Sequence, residues 1–360
     1  MSDATPDSFE TIDEIAERAR RQLSPSVWDY LAGGAGEEQT LAANELAFRK
    51  WSIRPRLMSG IGAVKLDTTF MGMTLRMPVA TAPFGTEGQF HPLGYIAVAR
   101  ANAAAGVASI VPEASPFSLE EVAAAAPDAP RLMQLHPLGK AENVLALIER
   151  ARLAGFSGLC VTCDCPTVGW RERNRRNRFT INARQMEGNY PADGPIDPEG
   201  IFGQLEVIES PIWTWLELAE VMTAGGLPWM AKGILTADDA EAAAAAGARA
   251  VAVSNHGGRQ LDGAPASLSQ LPEVREALKG TGIEIAIDGG VRRGSDIVKA
   301  LALGADLVII GRLAALGLAA SGEAGVARLH ALLRDEITTI LRLAGRADVG
   351  DLDLSLLQPA

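Results

Sequence analysis

Between residues 254 and 263 the chain reads SNHGGRQLDG, which places Ser254, Asn255, His256, Arg259, Gln260 and Asp262 in one short block with two glycines among them. An imidazole titrates near neutrality and can take or return a proton. A guanidinium offers a planar fork suited to a carboxylate or a phosphate. The block follows the apolar run AGARAVAV, so its polar groups stand at the end of a strand.

Other reactive side chains close other apolar runs in the same way. Asp164 ends GLCVTCD, two residues after Thr162 and on the same face; Lys232 ends PWMAKG; Asp288 ends IEIAID. Taken singly, such an aspartate reads as a helix N-cap and such a lysine as a solvated surface group. Taken together at the ends of successive strands, they read as one site. Two glycine-bearing stretches add a second signal, DGGVRRGSD over 288–296 and the pair Gly311–Arg312. Glycine lets backbone N–H groups approach a phosphate and arginine clamps it. The combination suits a phosphorylated cofactor and an anionic substrate. The four histidines, His91, His136, His256 and His330, form no metal-binding spacing, and the expectation is no metal. Cys160, Cys163 and Cys165 read as structural, with Cys160 on one face of a strand and the other two opposite.

These residues need a frame that gathers strand ends. From residue 78 onward, short apolar runs alternate with alanine-rich helical runs, and eight are marked: 78–84, 107–111, 131–135, 158–164, 228–233, 250–255, 283–288 and 306–311. Eight β/α units predict an α/β fold, a (β/α)8 TIM barrel, whose active sites lie at the C-terminal ends of the strands. A doubly wound open sheet competes, but it would carry its dinucleotide glycines after the first strand, whereas here they follow the last three. The expected organisation is an N-terminal helical segment with a short hairpin over 1–77, a barrel over 78–346 and a C-terminal tail over 347–360. A long Gly/Pro-rich stretch after strand four, 180–215, is expected to be a lid, with Met186, Tyr190, Ile196, Phe202 and Trp213 closing over an apolar group.

The composition agrees with a globular protein that buries a sizeable core. Of 360 residues, 48% are hydrophobic, and the net charge is −11 from 33 basic and 44 acidic residues, which disfavours a nucleic-acid partner. No apolar stretch reaches the length of a membrane span and the N-terminus is acidic and polar. The expectation is a soluble cytoplasmic protein.

SNHGGRQLDG and DGGVRRGSDIVKALALGA together resemble the FMN-dependent α-hydroxy-acid oxidase and dehydrogenase family, and the likeness runs from WDYLAGGAG to the last helical run. The resemblance implies FMN as cofactor, a small anionic 2-hydroxy acid as substrate, oxygen or another electron acceptor, and a homo-oligomer, most simply a tetramer. It implies His256 as the base, Asp164 as its orienting carboxylate and Lys232 beside the flavin N1/O2 edge. Tyr30, Arg171 and Arg259 would hold the substrate carboxylate. Phe84, Gly85, Gln134, Thr162, Ser254 and Asp288 would face the flavin or its chain, and Gly290, Arg292, Gly311 and Arg312 its phosphate.

The sequence departs from the family around the substrate. Pro112 and Ala114 stand where Ser and Trp are frequent, His136 where a tyrosine is usual, Leu93 for a glutamate and Leu313 for a proline. A lost indole enlarges a pocket, since an aromatic buries roughly 150–250 Å², and Gly85 leaves further room. The expected substrate is therefore bulky or aromatic. His136 is either a second titrating group or a polar wall. Oxidation of a C–N bond in a specialised metabolite, and a silent flavin-binding protein, remain as alternatives.

Overall fold

A computed structural model describes residues 8–190 and 213–360. Eight parallel strands form its centre: β1 Val79–Thr81, β2 Ala108–Val111, β3 Arg131–Leu135, β4 Gly158–Thr162, β5 Trp229–Ile234, β6 Ala250–Val253, β7 Glu284–Ile287 and β8 Leu307–Ile310. Each pairs with the next, and β8 pairs back onto β1 with Val308 opposite Val79, so the sheet closes as a (β/α)8 barrel. Most strands are shorter than the apolar runs that announced them. Phe84, Asp164 and Ser254 lie beyond the last paired residue, in the loops that rise from the barrel mouth. Side-chain character continues past the point where the backbone leaves the ladder, and that is where the reactive groups sit.

The barrel interior is built from small side chains, among them Ala80, Ala108, Ala250, Ala252 and Ala286, with Ile110, Leu132, Met230 and Ile309 as the larger ones. Alanines leave space that bulky branched residues fill in many barrels. Here the space is filled from outside the sheet. Strands Thr68–Phe70 and Met73–Leu75 form an antiparallel hairpin whose Phe70, Met71, Met73 and Leu75 belong to the same interior cluster. Its turn residues Met71 and Gly72 have φ of 47° and 78°, the positive pair a two-residue hairpin requires. The Met71 N–H donates to the Glu284 carboxylate at the start of β7, at 2.9 Å to Oε2, which pins the plug to the barrel floor.

Three helices precede the barrel: α1 Ile12–Gln22, α2 Pro25–Ala32 and α3 Gln39–Arg49. Thr11 and Ser24 cap the first two by accepting from Glu14 N–H and Val27 N–H. Helix α1 packs along the final helix, Arg312–Ala344, which breaks at Ser321 and Gly322. The expected tail instead ends in a strand: Leu357–Pro359 pairs antiparallel with Trp51–Ile53. No helix among the described residues is long and apolar enough to cross a membrane.

Much of the expected lid, 191–212 with Ile196 and Phe202, lies outside the described residues. Of its remainder, Tyr190 is buried, and the Trp213 indole donates to the Gly139 carbonyl at 3.2 Å, so both belong to the body of the domain. Thr214 opens helix Trp215–Gly225 with a reciprocal capping box to Glu217.

Because Phe70 is fully buried in a space the strands leave empty, Phe70→Ala should cost about 3–5 kcal/mol. Urea unfolding measures it; a loss below 1 kcal/mol would show that the plug does not support the barrel.

Candidate active site

Five successive strand ends contribute polar groups to one rim. Gln134 Nε2 donates to Thr162 Oγ1 at 3.1 Å, and Thr162 lies beside Lys232 in the β4–β5 register. Lys232 Nζ donates to Ser254 Oγ at 3.2 Å and stands 3.5 Å from Asp288 Oδ2. Lys232 is only 3% exposed. Burial works against its charge, but Asp288 and then Asp164 outweigh that, and its pKa is raised above the ordinary lysine value.

His256 is presented by an unusual backbone. His256, Gly257 and Gly258 have φ of 58°, 64° and 75°, three left-handed residues in a row, the first of them not glycine. Such a residue costs of order 1–3 kcal/mol and persists where its surroundings enforce it. Here the His256 N–H donates to Ser254 Oγ at 3.0 Å, and Gly258 N–H donates to Asn255 Oδ1 at 3.0 Å. At Gly258 no side chain fits, since a Cβ would stand 2.6 Å from the Leu41 nitrogen. The turn aims the ring back across the mouth, with Nδ1 at 3.2 Å and 3.3 Å from the two Asp164 oxygens. Burial and then Lys232 push His256 down to about 4 against the pull of Asp164, so the imidazole is neutral at neutral pH. Burial alone would raise Asp164, yet Lys232 and His256 hold it well below the usual carboxylate range.

A third side chain meets this pair. Cys165 Sγ lies 3.5 Å from His256 Nδ1 and 3.7 Å from Asp164 Oδ1. Strand alternation does not place it there. β4 ends at Thr162, so Cys163 packs on the outer core while Cys165 follows the loop to the mouth, and the two do not share a face as expected. Cys160 does lie inside the barrel.

Three arginines converge from three loops, and two of them lean on carbonyls at the end of α2. Arg259 Nη1 donates to the carbonyls of Tyr30 and Gly33, at 2.6 Å and 3.1 Å, and its guanidinium lies 5.0 Å from the Tyr30 ring. Arg171 donates to the Arg259 carbonyl and to Gln260 Oε1. Arg312 donates to the carbonyls of Leu31, Gly33 and Gly257. None of these three forms a salt bridge among the described residues, and burial with Arg171 depresses Arg259 well below the usual arginine value. Three guanidiniums without a carboxylate make a site suited to anions. Arg292 differs: its Nε donates to Glu45 Oε1 at 3.0 Å, so this expected phosphate contact carries its own counter-charge. Gly290 packs against Asn44, whereas a Cβ on Gly311 would meet nothing closer than Ala82 at 3.6 Å, which leaves its backbone approachable. Tyr30 stacks on Phe179 and accepts from Thr86 Oγ1 at 3.2 Å. Phe84 packs against Tyr95 and Phe90, within the apolar core.

One expectation at the substrate side changes. The room assigned to Gly85 is already taken, because a Cβ there would lie 2.8 Å from the Ala114 carbonyl oxygen and 3.3 Å from its Cβ. His136, expected as a second titrating group or a polar wall, gains a partner that fits either: its N–H and Nδ1 both contact Glu113 Oε2, at 2.7 Å and 2.8 Å, and the Tyr190 hydroxyl bonds the other Glu113 oxygen. Glu113 was not singled out from the sequence; its partners come from other loops and leave no local pattern. Gln260 was noted only as part of its block. Its Nε2 donates to the carbonyls of Asp164 and Thr167, at 2.9 Å and 2.8 Å, while its Oε1 accepts from Gly169 N–H at 3.1 Å. It stitches the base-bearing loop to the loop that carries Asp164 and Arg171.

The rim suits a polar ring system with a charged tail. Asp288 Oδ1 is buried with no hydrogen-bond partner among the described residues, while its other oxygen faces Lys232. Comparison with known proteins decides the matter. Residues 19–359 match the model of the FMN-dependent dehydrogenases. The chain belongs to this family. It is 40% identical to an L-lactate oxidase of Nostoc sp., with 96% of each chain covered, and 34% identical to human 2-hydroxyacid oxidase 1, again with 96% of each covered. A crystal structure of mandelate oxidase superposes with a TM-score of 0.88 at 36% identity, covering 98% of this chain and 99% of the other. This member of the family is therefore an FMN-dependent oxidoreductase of the 2-hydroxy-acid oxidase type, acting on small anionic substrates with oxygen or another acceptor.

Gln260→Ala removes the stitch and its half-buried bonds to the Asp164 carbonyl and the Gly169 N–H, a loss of about 0.5–1.5 kcal/mol per bond. The FMN-loaded variant should melt lower and exchange the Gly169 amide faster than wild type; unchanged exchange at Gly169 would refute the role.

Proposed function

We propose that this enzyme oxidises an L-2-hydroxy acid with a bulky or aromatic side chain to the 2-oxo acid. One observation carries the reaction class: a neutral imidazole held on an ionised carboxylate, beside a buried ammonium and within reach of guanidiniums that lack acidic partners.

Oxidation at the 2-position removes one proton and a hydride equivalent. FMN, when bound, supplies the two-electron acceptor; Lys232, Gln134, Thr162, Ser254 and Asp288 would hold its ring and chain, and Gly290, Gly311, Arg292 and Arg312 its phosphate. His256 accepts the proton at Nε2, since Nδ1 is committed to Asp164. Asp164 then stabilises the imidazolium, as in other histidine–carboxylate pairs. Arg171 and Arg259 orient the substrate carboxylate with Tyr30, by charge-assisted bonds that favour a planar anion. Lys232 contributes a fixed positive charge where negative charge develops.

The bulky preference rests on Ala114, which occupies a position where an indole is frequent in relatives. Gly85 no longer adds to it. A homo-oligomer is supported by the family resemblance alone, and light scattering on the purified protein measures the assembly.

His256→Ala should keep FMN and lose substrate-driven flavin bleaching under anaerobic conditions by about 10²–10⁴-fold or more; a near wild-type rate would remove His256 from the role of base. In the same assay, kcat/KM should rank mandelate and long-chain 2-hydroxy acids above lactate and glycolate, and Ala114→Trp should shift the ranking toward the small acids. A glycolate-preferring wild type would overturn the bulky reading, and bleaching only by 2-amino acids would move the chemistry to a C–N bond.

A further inference from the structure

Cys165 has no part in the chemistry proposed above, yet its sulfur touches both members of the base pair. The three atoms Cys165 Sγ, Asp164 Oδ1 and His256 Nδ1 lie 3.5, 3.7 and 3.2 Å from one another. Zinc bound tetrahedrally by thiolate, carboxylate and imidazole at its usual bond lengths sets its ligand atoms roughly 3.4–3.6 Å apart. The three side chains thus already outline one face of a coordination tetrahedron, with all three donor atoms within 4.8 Å of one another.

We propose that Asp164, Cys165 and His256 form a binding site for a thiophilic divalent cation of the zinc or cadmium type, and that its occupation shuts off the enzyme by taking the base out of use.

The charges favour this class of ion over others. Lys232 and Arg171 both act on the cluster, so a site that stayed net positive would be repelled. A divalent ion that displaces the Cys165 proton meets one thiolate and one carboxylate, and the filled site is neutral. The step balances without redox change: the sulfur–metal bond forms, the thiol proton goes to solvent, and the imidazole proton moves from Nδ1 to Nε2 while Nδ1 gives its lone pair to the metal. Burial and Asp164 raise the Cys165 thiol well above its ordinary value. Only a metal with strong affinity for sulfur can displace that proton, whereas magnesium and calcium prefer oxygen ligands and gain nothing from the thiol. The other two cysteines do not compete for this position: Cys160 is sealed in the barrel interior and Cys163 packs on the outer core. With the metal in place, Nε2 carries the proton and Asp164 faces the ion, so the imidazole has neither a free lone pair nor a carboxylate to steady its charge.

The test uses FMN-loaded protein titrated with cadmium, read by the ultraviolet thiolate-to-metal absorption, and with zinc, read by turnover. Wild type should show a saturable absorption of one cadmium per chain, and Cys163→Ser should keep it. Cys165→Ser and Cys165→Ala should both lose it. Zinc should inhibit wild type, and the zinc needed for half inhibition should rise by at least about 10–100-fold in Cys165→Ser, each read against that protein's own metal-free rate, since loss of groups that merely support a metal ligand already costs that much. Magnesium should leave turnover unchanged. The absorption does not depend on which residue is the base, whereas the inhibition rests on His256 filling that role. No absorption in wild type, or absorption that survives in both Cys165 variants, overturns the site; cadmium bound at Cys165 with zinc-insensitive turnover overturns the inhibition.

Discussion

A buried ammonium organises the mouth of this barrel. Taking an unpaired charge out of water costs several kcal/mol even after relaxation, so Lys232 can sit at the end of β5 only because Asp288 and Asp164 stand at the ends of strands on either side of it. The arrangement then works in reverse. Against burial, the field of Lys232 keeps Asp164 ionised, while burial and then Lys232 keep His256 unprotonated, the two states that a proton-accepting pair needs before substrate arrives. Removing that one charge would alter the protonation of its neighbours as well as the electrostatics of anything bound above it.

The N-terminal helices are part of this mouth. Arg259 and Arg312 reach the carbonyls at the C-terminal end of α2, where the helix dipole leaves partial negative charge. Glu38, the residue before helix α3, supplies no side-chain cap; Asp262 does so from the far side of the sequence, accepting from Thr40 N–H and Glu37 N–H at 2.9 Å each. Asn44 and Asn255 exchange two amide bonds of 2.8 Å in a buried reciprocal pair. The block 254–263 therefore has two functions. Its histidine and arginine face the chemistry, while its asparagine, glutamine and aspartate fasten the loop to a helix and a loop that precede it by 91 to 225 residues.

That division explains what the sequence disclosed. Alternation of strand and helix signals, with glycines after the last three strands, was enough for the barrel, and residue type at strand ends was enough to bring Thr162, Asp164, Lys232, Ser254 and Asp288 to one rim, whereas Gln134 came only from the family resemblance. These are local properties. Glu113, by contrast, draws its partners from the loop after β3 and from Tyr190, and nothing near it in the chain encodes that. Gly85 shows the same limit: its smallness read as open space, but a backbone carbonyl from the next loop fills it. Cys165 was misplaced because alternation was extended past Thr162, where the ladder had already ended. Residue type predicts what a group can do; only the fold says what stands beside it.

The pairing of Trp51–Ile53 with Leu357–Pro359 has a consequence in time. The partner of the earlier strand is made about 300 residues later, which at ~5–20 residues per second is a delay of about 15–60 s on the ribosome. Barrel closure waits about three-quarters as long, since Val79 on β1 needs Val308 on β8. Throughout that interval the nascent chain holds an open sheet edge and an unpartnered N-terminal strand. Its first helices and first strand can form early, but they cannot be locked until the end of the chain emerges, and the burden of keeping those edges from pairing elsewhere falls on the cell rather than on the fold.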